Sequence, residues 1–270
     1  MRISSIAALL LPLAAATGGI AQGNLPVAPA PWLLDVSEGY VFVLPSILSS
    51  AFLPAGHADP LEEEMLRNSG VMVPDFGLLM IVRYASSPVG PYDELVYIPG
   101  RWAYQSGRNG LRLNRMYVDS DASVYNGRLN WNIPKHRANF NWTKQGLSTV
   151  VSISSPDSPN EPFFSAKLTP ATGPIPAEVN TTLTGSYLTL VQPPLPGDSS
   201  DPALVGTDTW KSLLLNAQSE AVNPVAITGN LRGGRIGDGV GYPNVFPLLP
   251  IGVNLTGTLS FPVPEVFESV

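Results

Sequence analysis

Short apolar runs alternate with turn-forming residues along almost the whole chain. The 270 residues include 28 prolines and 25 glycines, and proline is excluded from helix interiors and central strands because it cannot donate a backbone hydrogen bond. Many of the runs between these breaks are rich in Val, Ile, Leu, Thr and Tyr, which favour strands. The runs cover residues 40–44, 77–84, 94–98, 111–118, 149–153, 182–191, 210–215, 226–231 and 252–261. The pattern predicts a mainly β domain, built as a sandwich or a barrel.

The first of two predicted helices begins after Asp59. Asp59 is a suitable N-cap, Pro60 fits the first helical position, and Glu62 follows the cap by three residues. Gly70 marks the end of this helix. The acidic run 62–64 is then expected to form a solvated helix face.

The second predicted helix covers residues 121–129, with Asp119 or Ser120 as its N-cap. Its interior contains Asn126-Gly127, and a glycine at such a position costs about 1 kcal/mol relative to alanine. We therefore expect the backbone at Gly127 to pack closely against another part of the protein.

The first 21 residues have the pattern of a secretory signal peptide. Arg2 supplies a positive charge, residues 6–16 form an apolar core, and Gly19 and Ala21 have the spacing of a cleavage site. The apolar stretch is shorter than the roughly 20 residues that a membrane helix needs. We expect a signal peptide over residues 1–21, followed by a single secreted β domain over residues 22–270 with no membrane partner.

Composition narrows the classes of partner. The chain has no cysteine and a formal net charge of -6, so disulfides and thiolate metal ligands are excluded. The absence of a basic patch argues against nucleic acid as a partner. Asn141, Asn180 and Asn254 each begin an Asn-X-Thr triplet and are candidate glycosylation sites, although a chain rich in Asn and Thr produces about two such triplets by chance.

Lys135 is the most informative residue, because the chain has only four lysines. It follows Ile133 and Pro134, with Trp131 upstream and Phe140 downstream. An amine in apolar surroundings loses hydration, which disfavours its charged form. A neutral amine can attack a ketone and form a Schiff base. The alternative is an ordinary surface lysine in the basic triplet 135–137.

Three segments carry a family resemblance. Residues 117–128 (YVDSDASVYNGR), followed by 130–135 (NWNIPK), resemble the acetoacetate decarboxylase-like family, with weaker matches at 90–95 (GPYDEL) and 257–266 (GTLSFPVPEV). The resemblance implies a mainly β fold, a closed or partly closed antiparallel β-barrel with a few short helices. It also implies that Lys135 is the Schiff-base lysine, facing a cavity of the barrel, and that Glu94 transfers protons. His136 stands where the namesake of the family has a second lysine.

The resemblance also suggests how a substrate is held. Arg128 either anchors an anionic substrate or has a structural role, and Trp131 lies just upstream of the lysine. Family decarboxylases carry an arginine on an early strand that engages the substrate carboxylate, whereas this chain has no Arg or Lys between Arg2 and Arg67. Candidate replacements are Arg83, Arg101 and Arg115. A larger and less polar ketone than a small keto acid would therefore suit this chain.

The predicted function is that of a secreted lyase acting on a keto acid or a polyketide-type ketone, with a role in secondary metabolism. No metal or organic cofactor is needed, because the imine accepts the electron pair. Decarboxylation, aldol cleavage and dehydration all remain open, as does assembly into a homo-oligomer. The rival hypothesis is a non-catalytic barrel that binds a small hydrophobic ligand.

Two other chemistries fit less well. His57, Asp59 and His136 have the residue types of a two-histidine, one-carboxylate iron site, but three such residues arise easily by chance. The Gly-X-Ser-X-Gly elbow of many hydrolases is absent from the sequence.

Overall fold

Strands form most of the regular structure in the computed structural model, which describes residues 25–171, 179–219 and 221–268. The predicted signal peptide lies outside the described residues. The helices are α1 (Pro60–Asn68) and α2 (Asp121–Trp131), with two 3-10 helices at Ser50–Phe52 and Thr181–Leu188. The strands are β1 (Trp32–Leu44), β2 (Val71–Val73), β3 (Gly77–Ser86), β4 (Tyr92–Ile98), β5 (Gly100–Ala103), β6 (Asn109–Arg112), β7 (Arg115–Val118), β8 (Lys135–Arg137), β9 (Asn139–Gln145), β10 (Ser148–Ser154), β11 (Pro162–Pro170), β12 (Val179–Asn180), β13 (Thr189–Gln192), β14 (Trp210–Leu214), β15 (Asn216–Ser219), β16 (Val222–Gly229), β17 (Ile251–Phe261) and β18 (Glu265–Phe267).

The strands form two sheets. The larger has twelve strands, ten of them in the order β8-β7-β4-β3-β1-β17-β16-β11-β10-β9, while β15 pairs with β17 and with β12. The smaller has the order β18-β14-β13-β6-β5-β2. The described pairs are antiparallel except β7 with β8 and β6 with β13.

The two ends of the larger sheet lie close together. The end strands β8 and β9 are separated in sequence by Ala138, whose backbone N–H donates to the carbonyl of Val118 in β7. Trp142 of β9 donates through Nε1 to Asp93 of β4 at 2.7 Å, and its ring stacks on Tyr40 of β1 with 6.4 Å between centroids. The sheet thus curls nearly into a closed barrel, and the predicted mainly β, barrel-like fold is confirmed.

The larger sheet is buried on both faces at β4, whose sequence divides between them. Leu95 and Tyr97 point into a cluster enclosed by the curled sheet, which we call the barrel core. Tyr92, Val96 and Ile98 point to the other face, into a cluster that α2 and the smaller sheet cover, which we call the helix-covered core. Successive side chains of a strand point to opposite faces, so alternate residues of β4 supply two different cores.

Both predicted helices are confirmed. Asp59 caps α1 by accepting a hydrogen bond from the backbone N–H of Leu61. Ser120 caps α2, which ends at Asn132 in the left-handed conformation with φ of 54°. The second helix is two residues longer than predicted. Within the described residues, neither helix is long and apolar enough to cross a membrane.

Two predicted strands differ from the structure. The run 182–191 begins as a 3-10 helix and becomes a strand only at Thr189–Gln192, because Gly185 has a φ of 58° that breaks extended backbone. The run 111–118 is two strands in different sheets. At the crossing the Leu113 N–H donates to the Gln192 side chain, and the Asn114 N–H donates to the Tyr97 carbonyl.

The three candidate glycosylation asparagines differ in exposure. Asn141 is exposed on β9. Asn254 of β17 is half-buried and its side chain donates to the carbonyl of Gly39 at 3.3 Å. Asn180, in β12, is also half-buried. Modification of all three stays a prediction, and Asn141 has the most accessible side chain.

Candidate active site

Strand register places Lys135 and Glu94 on the same face of the larger sheet. Lys135 lies beside Met116 of β7, and Met116 lies beside Val96 of β4. Glu94 is two residues from Val96 and therefore shares its face. Both side chains enter the helix-covered core, although they are 41 residues apart in sequence.

The amine of Lys135 is fully enclosed by polar and aromatic side chains. Lys135 is 2% exposed and Glu94 is 1% exposed. Nζ donates to Glu94 Oε2 and to Ser123 Oγ, each at 3.0 Å, and lies 5.0 Å from the ring centroid of Tyr92. The other carboxylate oxygen, Glu94 Oε1, accepts from the Tyr84 hydroxyl at 2.9 Å. We call these five residues the amine site.

The two tyrosines keep their protons. Burial, and then the charge of Glu94, raises the pKa of Tyr84 well above its ordinary value, and the same causes raise the pKa of Tyr92. Tyr84 is therefore a permanent donor that holds the Glu94 carboxylate in one orientation. A buried ion pair is retained when hydrogen bonds satisfy its remaining atoms, and this pair meets that condition.

The amine site is tightly packed, since Lys135 is 2% exposed and Glu94 is 1% exposed. Four surface cavities of about 590 to 810 Å³ are lined by other residues, and a cavity of the barrel facing Lys135 stays a prediction. A substrate would therefore reach Lys135 only after the packing around the amine has opened.

Gly127 explains how α2 approaches the lysine so closely. A Cβ atom at this position would lie 2.6 Å from Cδ and 2.8 Å from Cε of Lys135, which is far inside van der Waals contact. The expected close packing at Gly127 is thus confirmed, and its partner is the Lys135 side chain. The preceding Asn126 accepts from the Ala28 N–H at 2.7 Å and donates to the Pro26 carbonyl at 2.8 Å, which fixes the N-terminal segment on the helix.

Arg128 joins separate segments and has no contact with the amine. It is fully buried and donates to Glu62 Oε1 at 2.7 Å, to the Val205 carbonyl at 2.9 Å and to the Pro196 carbonyl at 2.5 Å. These contacts favour the structural role that the sequence left open for Arg128, and a role in anchoring a substrate stays a prediction. They correct the expectation of a solvated acidic run 62–64, since Glu62 is fully buried.

His136 points away from Lys135. The two residues are consecutive in β8, so their side chains lie on opposite faces of the sheet. His136 Nε2 lies 2.8 Å from Glu62 Oε2. Burial raises the pKa of Glu62, but hydrogen bonds and charge from His136 and Arg128 outweigh it and lower that pKa below its ordinary value. We call Arg128, Glu62 and His136 the arginine network. His136 also lines a cavity of about 680 Å³, so its proposed contact with a substrate stays a prediction.

Arg115 and Trp131, the other proposed substrate contacts, also have structural partners. Arg115 pairs with Asp59 at 3.2 Å and donates to three backbone carbonyls. Trp131 is buried, donates through Nε1 to the Pro262 carbonyl at 2.8 Å, and packs edge-on against Trp32 with 5.1 Å between centroids. Within the described residues neither contacts the Lys135 amine, while Arg115 lines a cavity of about 680 Å³. Substrate contact by either residue stays a prediction.

The two remaining candidate arginines are paired elsewhere. Arg83 contacts Asp93 at 3.1 Å, and Arg101 contacts Asp75 at 2.8 Å. The four arginines that the sequence offered as substrate anchors therefore each have a protein carboxylate as a partner.

One group of side chains has the composition of a metal site. The ligand atoms of Asp59, Glu62 and His136 lie within 4.8 Å of one another. An arginine already pairs with each of the two carboxylates, and Glu62 is fully buried, so the group fits an internal ion network better than a cation. The iron site suggested by the sequence does not form, because the His57 ring contacts the Pro54 carbonyl at 3.1 Å.

Three members of the amine site were not identified from the sequence. Ser123 precedes Gly127 by four residues, and residues four apart share one helix face, so the helix pattern could have indicated it. Tyr84 and Tyr92 pair directly across β3 and β4. The two tyrosines share a face with Glu94 by alternation, but only the hairpin register shows that they meet.

Comparison with known proteins identifies the fold. No family model and no curated protein matches the sequence. Acetoacetate decarboxylase from Legionella pneumophila is 16% identical with a TM-score of 0.55, covering 88% of each chain. An acetoacetate decarboxylase-like enzyme from Sphingomonas wittichii is 13% identical with a TM-score of 0.56, covering 90% of this chain and 95% of the other. The enduracididine biosynthesis enzyme MppR, complexed with the condensation product of pyruvate and imidazole 4-carboxaldehyde, is 12% identical with a TM-score of 0.53, covering 96% and 99%. The chain has the acetoacetate decarboxylase-like fold.

Proposed function

We propose that this protein is a lyase that forms a Schiff base between Lys135 and a ketone. One observation carries the proposal: the Lys135 amine is withdrawn from water and lies 3.0 Å from both a carboxylate and a hydroxyl. An ordinary surface lysine has no such enclosure. The fold agrees with this chemistry, because its structural neighbours include acetoacetate decarboxylase and an enduracididine biosynthesis enzyme complexed with a condensation product of pyruvate.

The contacts supply a proton path for the reaction. Glu94 takes a proton from the Lys135 ammonium across their hydrogen bond, and the neutral amine then attacks the carbonyl carbon. The carbinolamine then loses a water molecule to form the imine, and Glu94 returns the proton to the hydroxyl group as it departs. The protonated imine accepts the electron pair of the bond that breaks, and hydrolysis then releases the product and frees the lysine. The Tyr84 hydroxyl holds the carboxylate in place throughout.

The surroundings of the amine favour a neutral substrate. A substrate carboxylate is usually held by an arginine in a bidentate pair, but Arg83, Arg101, Arg115 and Arg128 are bound to protein carboxylates. The side chains around Nζ are a carboxylate, a hydroxyl and aromatic rings. We therefore propose a ketone of polyketide type as the substrate, with retro-aldol cleavage or dehydration preferred over decarboxylation. The sequence pattern of residues 1–21 supports action outside the cell.

Reductive trapping tests the proposal. The protein is incubated with 2,4-pentanedione or with pyruvate, treated with borohydride, and analysed by intact mass and peptide mapping. We expect one covalent adduct on Lys135, more with the diketone than with pyruvate, and none in Lys135→Ala.

Lys211→Ala is the matched control. Lys211 is also buried, burial lowers its pKa, and its amine is held by the Leu129 carbonyl at 2.5 Å. We expect this variant to form the adduct like the wild type. An adduct that persists in Lys135→Ala, or no adduct with either ketone, would reject the Schiff base and favour the non-catalytic binder.

A further inference from the structure

A cavity lies between the segment 50–58, α1 and the smaller sheet. Its volume is about 660 Å³. Leu53, Pro54, Leu66 and Trp102 form apolar walls, and the guanidinium-bearing side chain of Arg112 borders it. Lys135, Glu94 and Arg128 do not line this cavity. The cavity is therefore distinct from the amine site and from the arginine network.

Arg112 differs from the other buried arginines in lacking a carboxylate. It is fully buried, and it donates to Asn114 Oδ1 at 3.0 Å, to the Leu66 carbonyl at 2.9 Å and to Ser69 Oγ at 3.2 Å. All of these acceptors are neutral. Among the described residues no carboxylate lies within 4.0 Å of its guanidinium, whereas Arg115 and Arg128 each have one.

An unpaired buried charge is expensive for the protein. Desolvation is offset only when an opposite charge or strong acceptors are present. Burial lowers the pKa of Arg112 to about 10, because desolvation disfavours the charged form. The group is still charged at neutral pH. A bound anion would remove the imbalance.

Two hydrogen-bond donors next to Arg112 also lack hydrogen-bond acceptors among the described residues. The guanidinium carbon of Arg112 lies 3.3 Å from the ring centroid of Trp102, so the cation is stacked on the indole. Trp102 Nε1 and Asn114 Nδ2 are both buried without a hydrogen-bond partner among the described residues. Unsatisfied buried donors are rare in native proteins, and here two of them accompany a buried cation that has no carboxylate partner among the described residues.

We propose that this cavity binds an organic carboxylate with an apolar body. The carboxylate would pair with Arg112, and the apolar body would pack on Leu53, Pro54 and Leu66. The one acidic residue in the lining, Glu63, is already neutralised by Arg67 at 2.5 Å. The site is independent of the Schiff-base chemistry proposed for Lys135.

Calorimetric titration of the full chain with benzoate, at constant ionic strength, tests this site. Benzyl alcohol serves as the neutral analogue and inorganic phosphate as the anion without an apolar body. We expect saturable binding of benzoate, weaker binding of phosphate, and none of benzyl alcohol. Loss of the charged pair in Arg112→Gln should weaken benzoate binding by about tenfold or more.

A second variant keeps the test decisive if Arg112→Gln fails to fold. Ala51 is exposed and lines the cavity, so Ala51→Trp should fill it and abolish binding without touching a buried group. Arg108→Gln removes an exposed arginine that is paired with Glu265 in another cleft, and it should bind benzoate within about twofold of the wild type. Absence of benzoate binding, equal binding of benzyl alcohol, or unchanged binding in Ala51→Trp would each overturn the proposal. Equally tight binding of phosphate would overturn the requirement for an apolar body.

Discussion

The amine site and the arginine network each contain a buried carboxylate, and these two carboxylates contact consecutive residues of one short strand. Lys135 points to one face of β8 and contacts Glu94, whereas His136 points to the other face and contacts Glu62. Both carboxylates are almost completely buried. The strand alternation therefore separates two chemical environments that are adjacent in sequence.

The two pairs differ in what else they bind. Arg128 of the arginine network donates to backbone carbonyls of the 193–209 loop as well as to Glu62, so its role is to tie α2, α1 and this loop together. Within the described residues the Lys135 amine instead donates to side chains. Side-chain acceptors can exchange protons and move without unfolding a segment. The difference favours a structural role for the arginine network and supports the chemistry proposed for the amine site.

Removing Arg128 should have the largest effect on stability. Arg128→Met would leave Glu62 buried without its main counter-charge, and breaking a buried pair costs about 3–5 kcal/mol. Urea unfolding followed by circular dichroism measures the loss. The control is Arg83→Met, since Arg83 is 42% exposed on its side chain, and exposed pairs contribute about 0–1 kcal/mol. Equal losses in the two variants would contradict a structural role for the arginine network.

Sequence reasoning predicted the parts of the molecule that depend on local pattern. The helix caps at Asp59 and Ser120 follow from residue type and spacing. The resemblance selects Lys135 and Glu94, but their shared face depends on the register of β4, β7 and β8. Glu62 could not be recognised, because its burial depends on Arg128, 66 residues away. Nothing in the run 62–64 distinguishes the one glutamate that turns inward.

The sequence also could not predict that Arg112 lacks a carboxylate partner among the described residues. The sequence shows an arginine in a predicted strand, but not that its acceptors are all neutral. Partners that come from distant segments are fixed by tertiary packing. The local pattern of apolar and polar residues does not predict them. Glu62 lies in α1 and Arg112 donates to the Leu66 carbonyl of α1, and the inward face of this helix is determined by other elements.

Gly127→Ala should have an intermediate effect and test how tightly α2 encloses the amine site. The added methyl would collide with Cδ and Cε of Lys135, and overpacking costs about 1–3 kcal/mol. In the Lys135→Ala background the collision disappears, so the same substitution should be neutral or stabilise the helix by up to about 1 kcal/mol. The coupling energy from this double-mutant cycle is the measurement. Additive effects would show that Gly127 is present for another reason.

The smallest effect concerns pH and Glu62. His136 and Arg128 outweigh burial and hold the pKa of Glu62 below its ordinary value of 4.5. A carboxyl whose folded pKa is lowered contributes stability that is complete above its unfolded pKa and is lost as the pH falls through the folded pKa. Wild-type stability should therefore decline below about pH 4.5, by at most about 1.4 kcal/mol per pH unit for this one proton. Glu62→Gln should be less stable at neutral pH and decline less steeply in acid, so that the two urea-unfolding profiles converge at low pH. If the stabilities of wild type and Glu62→Gln change in parallel from pH 6 to pH 3, Glu62 is not the group that makes the arginine network sensitive to acid. The structural role of this network would then depend on Arg128 alone.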